Sequence, residues 1–304
     1  LVALTATQAL LRAGYRVVRL PKAPPAVLPD DDRAIALSAS SLDAFTTWQL
    51  DAVLGHAAPI QQVHVSVKNR YGTLRLCAKD MAVSCLGKVI AAKHLQANLL
   101  GAANASGGVS YEGDVIAFSV DEKGVRLSCK QANGTVSVSA PLLLVADGAG
   151  DFMRQHMALH TMVDDYQQYA LAAHVQCAVP HQKVAYERFL ATGPVAMLPT
   201  PDAQRVAMVW ALPTATAKAY AKLPSLAFNN HLQQAFGYRL GRLGLASKLA
   251  LFPLQRKRTR PLVQPGVMLL GNAASTLHPV AGQGFNLAMR DVVRLLDVLH
   301  DANT

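Results

Sequence analysis

The chain has 304 residues, 51% of them hydrophobic and 16% charged, enough apolar material for one unit of two lobes but little for two independent domains. Its four cysteines, Cys77, Cys85, Cys129 and Cys177, show no C-x-x-C spacing, which argues against a metal site or a disulfide framework and favours a reducing compartment. A net charge of +10 draws attention to anionic partners, yet the densest basic run, Arg256-Lys257-Arg258 with Arg260, has no interleaved aromatics, so no nucleic-acid partner is expected.

From the amino terminus, residues 4–13 carry apolar side chains at helical spacing, Gly14 stops the helix, and Tyr15 to Leu20 reads as extended. Residues 21–32, with four prolines and a final acidic triplet, read as an irregular connector. Arg33 to Leu42 is expected to open a helix that continues toward Leu54. Val63 to Val67 alternates as a half-buried strand does, with Leu74 to Cys77 as its hairpin partner. Val89 to Leu100 reads as a strand running into a helix. Val115 to Val120, Val125 to Cys129 and Thr135 to Ser139 are then three antiparallel strands, joined at Gly124 and at Asn133-Gly134.

Residues 141–146 (PLLLVA) form a short apolar run, as a buried parallel strand requires, and end in Asp147-Gly148, where such strands meet ligands. Strand patterns follow at 171–179, 185–190, 195–198 and 206–212, and Leu226 to Phe236 has helical spacing. Gly266 to Leu270 reads as a buried strand and Gly284 to Leu299 as an amphipathic helix. No apolar run approaches the roughly 20 residues of a spanning helix, and no basic-headed leader precedes the first helix, which predicts a soluble or peripheral chain.

Three segments carry chemistry. In the last of them, strand, glycine-bearing loop and helix follow one another from Gly266 to Leu299. Its glycines permit close backbone approach, and the helix start offers unpaired N–H groups to an anion or an electron-rich ring edge. The second is Asp147-Gly148 with Arg154; taken alone, a turn capping the next helix would also explain it. The third is Asp31-Asp32-Arg33-Ala34-Ile35-Ala36-Leu37, for which a charged helix start is the plain alternative. No Gly-x-Ser-x-Gly elbow is present, which argues against a hydrolase.

Gly271-Asn272-Ala273-Ala274 through His278-Pro279 to Gly282-Gln283-Gly284-Phe285-Asn286 resembles the second FAD motif of the FAD-dependent aromatic hydroxylases. Asn272, in place of the usual Asp, points to the ubiquinone-pathway (UbiH-type) branch. Ala146 to Arg154 resembles that family's Asp-Gly motif, and residues 31–37 its Asp-x-Arg-x-Ala-Leu motif. The similarity runs from about Leu1 to the end of the chain. It implies an α/β fold, a Rossmann-like FAD-binding lobe (1–57, 82–157 and 263–304) interleaved with a mixed or antiparallel-sheet substrate lobe (58–81 and 158–262).

By the same resemblance Asn272 contacts the ribityl chain, and Pro279, Gly282, Gln283, Gly284, Phe285 and Asn286 face the flavin. Asp147 and Gly148 lie near the pyrophosphate, and Arg33 beside the flavin. His278 is the candidate for proton transfer, although a role in loop geometry suits its place beside Pro279 better. The implied reaction uses FAD, NAD(P)H or another reductant, and O2, and hydroxylates a polyprenylated methoxyphenol through a flavin C4a-hydroperoxide. Such a substrate implies a bacterial cytoplasmic protein peripheral to the inner membrane, working beside other ubiquinone-biosynthesis proteins.

The sequence also departs from the family. Leu1-Val2-Ala3 aligns with the last positions of G-x-G-x-x-G, so the first strand and two glycines, like the C-terminal helices, are expected outside these 304 residues. Pro21 stands where an acidic residue binds the adenosine ribose, and Ala91-Ala92 where a polar pair is usual. These internal changes predict weakened FAD affinity, with a non-catalytic scaffold of a quinone-synthesis complex as the alternative role.

Overall fold

The computed structural model describes residues 1–21, 33–146, 156–157, 159–277 and 282–302. The chain opens with α1 (Val2–Arg12) and β1 (Val18–Arg19), continues through β2 (Ala34–Ser38) and α2 (Ala39–Thr47), and reaches β3 (Ala58–Ile60). A hairpin of β4 (Gln62–Val67) and β5 (Thr73–Cys77) precedes β6 (Gly87–Ala91), α3 (Ala92–Ala105) and β7 (Val109–Ser110). The meander β8 (Asp114–Asp121), β9 (Gly124–Gln131) and β10 (Gly134–Ala140) leads into β11 (Leu143–Val145). Next come β12 (His160–Cys177), β13 (Val184–Leu190), β14 (Gly193–Pro199), β15 (Arg205–Pro213), α4 (Thr214–Tyr220) and α5 (Ser225–Phe236). The last stretch is β16 (Leu243–Leu245), β17 (Ala250–Arg260), β18 (Val263–Gln264), β19 (Val267–Leu269), β20 (Ser275–Thr276) and α6 (Gln283–Asp301).

One large sheet organises the molecule, in the order β20-β17-β12-β15-β14-β13-β4-β5 with β16 added to β12. The 18-residue β12 is its spine, paired with β15 on one side and β17 on the other. On one face of this sheet Leu171, Met197, Met208 and Trp210 pack against Phe228, Leu232, Ala235 and Phe236. Those four α5 residues recur at helical spacing, so one stripe of the helix covers the sheet. Truncating one of the buried phenylalanines would cost about 3–5 kcal/mol.

Smaller sheets make the other lobe: the parallel pairs β1–β7 and β11–β19, the sheet β2-β6-β3 and the meander. Their helices share a core in which α1 (Ala6, Ala9), α2 (Phe45), α3 (Leu95, Leu99) and α6 (Met289, Val292) meet. The opposite face of the large sheet turns toward this lobe, since Ala185, Val63 and Leu198 pack on Ile60, Val89 and Ala34.

The structure corrects two readings and gives the basic run its place. Residues 34–38 are a strand, because β6 pairs with them from Ala34↔Ala91 to Ser38↔Gly87. The helix begins only at Ala39, where the Ser38 hydroxyl accepts the Ser41 N–H at 3.4 Å. Residues 58–60 pair with β6 in the smaller sheet, so the chain enters the large sheet at Gln62. The basic run at 256–260 lies inside β17, registered against residues 160–164 of β12 with Arg256 opposite Asp164, and Arg258 and Asp164 are 3.8 Å apart.

Candidate functional site

The carboxyl ends of the parallel strands β11 and β19 lie side by side, tied by the Leu270 N–H to the Val145 carbonyl at 2.8 Å. Loops leaving such ends are where α/β sheets bind ligands. Gly271 makes the first turn with φ +57°, and a Cβ there would sit 2.9 Å from Val2 Cγ2. Glycine is required both for the conformation and for the approach of α1. Asn272 is exposed on the following 3₁₀ turn, while Ala273 and Ala274 are buried. Ser275–Thr276 then pairs with β17, and the Thr276 hydroxyl accepts the Lys257 N–H at 3.1 Å.

Helix α6 starts at Gly282, whose φ of +58° places it in the left-handed region with Ala36 Cβ 3.5 Å from its missing side chain. Gln283 and Gly284 are exposed, and a Cβ on Gly284 would meet nothing within 4 Å. Phe285 packs part-buried against the helical core. Asn286 is buried at 2% exposed. Its Oδ1 accepts the Ser38 N–H at 2.9 Å and the Ser41 hydroxyl at 2.8 Å. Its Nδ2 donates to the Ala36 carbonyl at 2.8 Å and the Gly282 carbonyl at 3.1 Å. Two donors and two acceptances complete an amide's capacity, so Asn286 fastens α6 to the β2–α2 corner.

Arg33, just before β2, holds its guanidinium 4.8 Å from the Phe252 ring centroid on β17 and its carbonyl 2.8 Å from the Ala92 N–H. It therefore stands at the seam between the smaller sheets and the large one. Asp147, Gly148, His278 and Pro279, with the acidic pair before Arg33, lie outside the described residues. Pro21 follows β1 and its carbonyl takes the Gly113 N–H at 3.5 Å. Ala91 starts α3 with no side-chain cap.

One residue of chemical interest escaped the sequence. Glu187 faces the smaller lobe from a row of the large sheet made of Leu74, Val65, Ala196, Val209, Ala172 and Ala250. It is the one carboxylate of that row, and burial pushes its pKa from 4.5 to about 6. Only the strand registers reveal this setting; in sequence Glu187 is one polar position of an alternating strand.

The FAD binding domain family matches residues 1–302. The chain belongs to that family. FAD is accordingly its cofactor. Uncharacterized protein slr1300 of Synechocystis sp. is 29% identical over 288 residues, 94% of this chain and 69% of that protein. The 3-demethoxyubiquinol 3-hydroxylase of Escherichia coli is 33% identical over 174 residues, 57% of this chain and 44% of the enzyme, so the match spans less than half of that relative's length. Among solved structures, a multiply substituted variant of P. aeruginosa PqsL aligns with a TM-score of 0.81 at 18% identity, covering 99% of this chain and 85% of that one.

The residues present suit the cofactor at the α6 end. The first turn of α6 has no acidic residue and no side-chain cap, which leaves its N–H groups to an electron-rich edge. No described residue comes within 4 Å of a Cβ placed on Gly284, which suits the approach of a flat ring. At the β1 end, Pro21 supplies no carboxylate for a ribose hydroxyl.

Proposed function

We propose that this chain is the FAD-binding and ring-binding part of a monooxygenase that hydroxylates a polyprenylated methoxyphenol on the way to ubiquinone. The observation that carries the reading is the span of β2. Ala36 borders the Gly282 cradle, and Arg33, three residues earlier, reaches Phe252 of the large sheet. At about 3.3 Å per residue the two points are roughly 10 Å apart, the length of a fused ring system. Cofactor cradle and sheet face are thus neighbours.

Bound FAD, reduced by NAD(P)H or another donor, would supply the two electrons that activate O2, one atom of which enters the ring while the other leaves as water. The protein's part is to bind, orient and exclude water. The α6 N–H groups, with Arg33 at the seam and Asn272 at the β19 end, are the groups that would hold the flavin. The rows around Ala170, Ala211 and Phe252 offer an apolar wall to the substrate ring. Glu187 would accept the phenolic hydrogen bond and make the ring more electron-rich.

The match to ubiquinone-pathway hydroxylases supports this substrate class. No described helix is long and apolar enough to cross a membrane, and the +10 charge suits peripheral attachment to an anionic inner-membrane face beside other quinone-synthesis proteins. Pro21 and Ala91-Ala92 favour a second reading, a scaffold with weak FAD binding. The decisive experiment deletes the gene in its native host, profiles quinone intermediates, and tests rescue by wild type and by Gly284→Trp. Accumulated prenyl-methoxyphenol rescued by wild type alone supports the enzyme; rescue by both supports the scaffold. Equilibrium flavin titration of the full-length protein is expected to give a Kd above about 1 µM, and a submicromolar value overturns the weak-binding reading.

A further inference from the structure

At its β4–β5–β13 end, the face of the large sheet that points away from the flavin cradle holds a cavity of about 250 Å³, lined by Gln62, His64, Arg75, Val184, Tyr186 and Arg239. Strand register places Tyr186, His64 and Arg75 in one row. Tyr186 meets Phe236 of α5 edge-on at 5.6 Å, which puts this row on the helix-covered face. Ala185 and Glu187, its neighbours along β13, point to the other face.

The floor of the cavity is His64, 4% exposed, with its ring 5.6 Å from Tyr186 and its Nε2 without a hydrogen-bond partner. Arg188, one position further along the same face of β13, also has a buried Nε without a partner. Arg75 and Arg239 form the exposed rim. Among the described residues none of the three arginines makes an ion pair. Burial first, then Arg239 and Arg75, push the His64 pKa down, and burial with Arg239 does the same to Arg188. Three guanidinium groups converging on a buried imidazole, with no carboxylate among them, repel one another and leave buried donors unsatisfied. An oxyanion removes both penalties, because Arg forks and an imidazole N–H match its oxygens.

We propose that this cavity is a phosphate-binding site, separate from the flavin cradle. Arg75 and Arg239 grip the phosphate oxygens from the rim, and His64 Nε2 and the Tyr186 hydroxyl donate from below. A free phosphate compound and the headgroup of an anionic lipid share this chemistry. A lipid headgroup would seat the protein on the membrane through the face opposite the flavin.

The test is calorimetric titration of the FAD-loaded, full-length protein with inorganic phosphate. Arg75→Ala and Arg239→Ala, both exposed and outside the flavin site, are each expected to weaken binding at least about tenfold, with unchanged thermal midpoint and flavin spectrum. Lys222→Glu, a charge change elsewhere on the surface, is expected to leave binding intact. Wild-type affinity in both arginine variants, equal weakening by Lys222→Glu, or no phosphate binding at all overturns the proposal. Co-sedimentation with phosphatidylglycerol vesicles separates the two sources. Loss in the same arginine variants assigns the site to a lipid headgroup, and retention assigns it to a soluble phosphate.

Discussion

Asn286 at the start of α6 and His64 on β4 are buried almost equally, yet their polar atoms have opposite fates. All four hydrogen-bonding positions of Asn286 are filled by Ser38, Ser41, Ala36 and Gly282. His64 Nε2 meets no partner and faces three arginines. A satisfied buried amide locks two elements together, and contact with a ligand falls to the backbone around it. An unsatisfied buried imidazole, by contrast, keeps a donor in reserve for something that is not protein. The same contrast separates the faces of the large sheet. One presents small apolar rows with Glu187 to the flavin lobe, and the other an aromatic core that ends in a cationic cavity.

The largest effect is expected at the latch. Asn286→Ala orphans the Ser38 N–H and the Ser41 hydroxyl beside two carbonyls, and should lower stability by about 4 kcal/mol, measured by urea unfolding. His64→Leu, at the same degree of burial, removes an unsatisfied group and should change stability by less than about 1 kcal/mol. Equal losses in the two variants would erase the comparison.

Glu187 comes next. Its folded pKa is raised to about 6 from 4.5, so its contribution is complete below pH 4.5 and disappears as pH rises through 6. About 1.5 units amounts to about 2 kcal/mol. Glu187→Gln should therefore match the wild type near pH 4 and exceed it by up to about 2 kcal/mol at pH 8, while slowing hydroxylation. Pairwise unfolding at the two pH values reads the first effect, and kcat the second. A variant equally stable relative to wild type at both pH values would place Glu187 in water.

Gly284→Trp should cut FAD affinity at least about tenfold, roughly 1.4 kcal/mol, with little loss of stability, because no described residue lies within 4 Å of a Cβ there. Flavin fluorescence titration decides it. The smallest effect belongs to Pro21→Glu, which restores a carboxylate at the end of β1 and should tighten FAD several-fold, within about 1 kcal/mol. No tightening would show that the ribose end is not what limits binding.

Much of the fold was legible where the local signals stood alone. Gly124 and Asn133-Gly134 predicted the β8–β9–β10 meander, and the apolar stripe of α6 predicted that helix. Ala34 to Leu37 misled because alanine and leucine favour a helix, and only pairing with β6 makes them a strand. β17 was hidden by Pro253 and its run of charges, and the first half of β12 by Asp164 and Asp165; each needs the other as partner. The motif singled out Gly282 to Asn286, which the structure gathers at the start of α6. That Asn286 bonds residues 248 and 245 positions away is not written in local pattern. His64 and Tyr186 meet only through the parallel register of β4 and β13.

β2 touches Gly282 through Ala36 and the large sheet through Arg33, so its register against β6 acts as a ruler between the start of α6 and that sheet. Adding or removing one residue between these positions would turn every following side chain to the other face. The two contacts could then no longer be made at once. Related chains should accordingly keep the length of this stretch fixed, and a one-residue insertion here should be harder to tolerate than most substitutions.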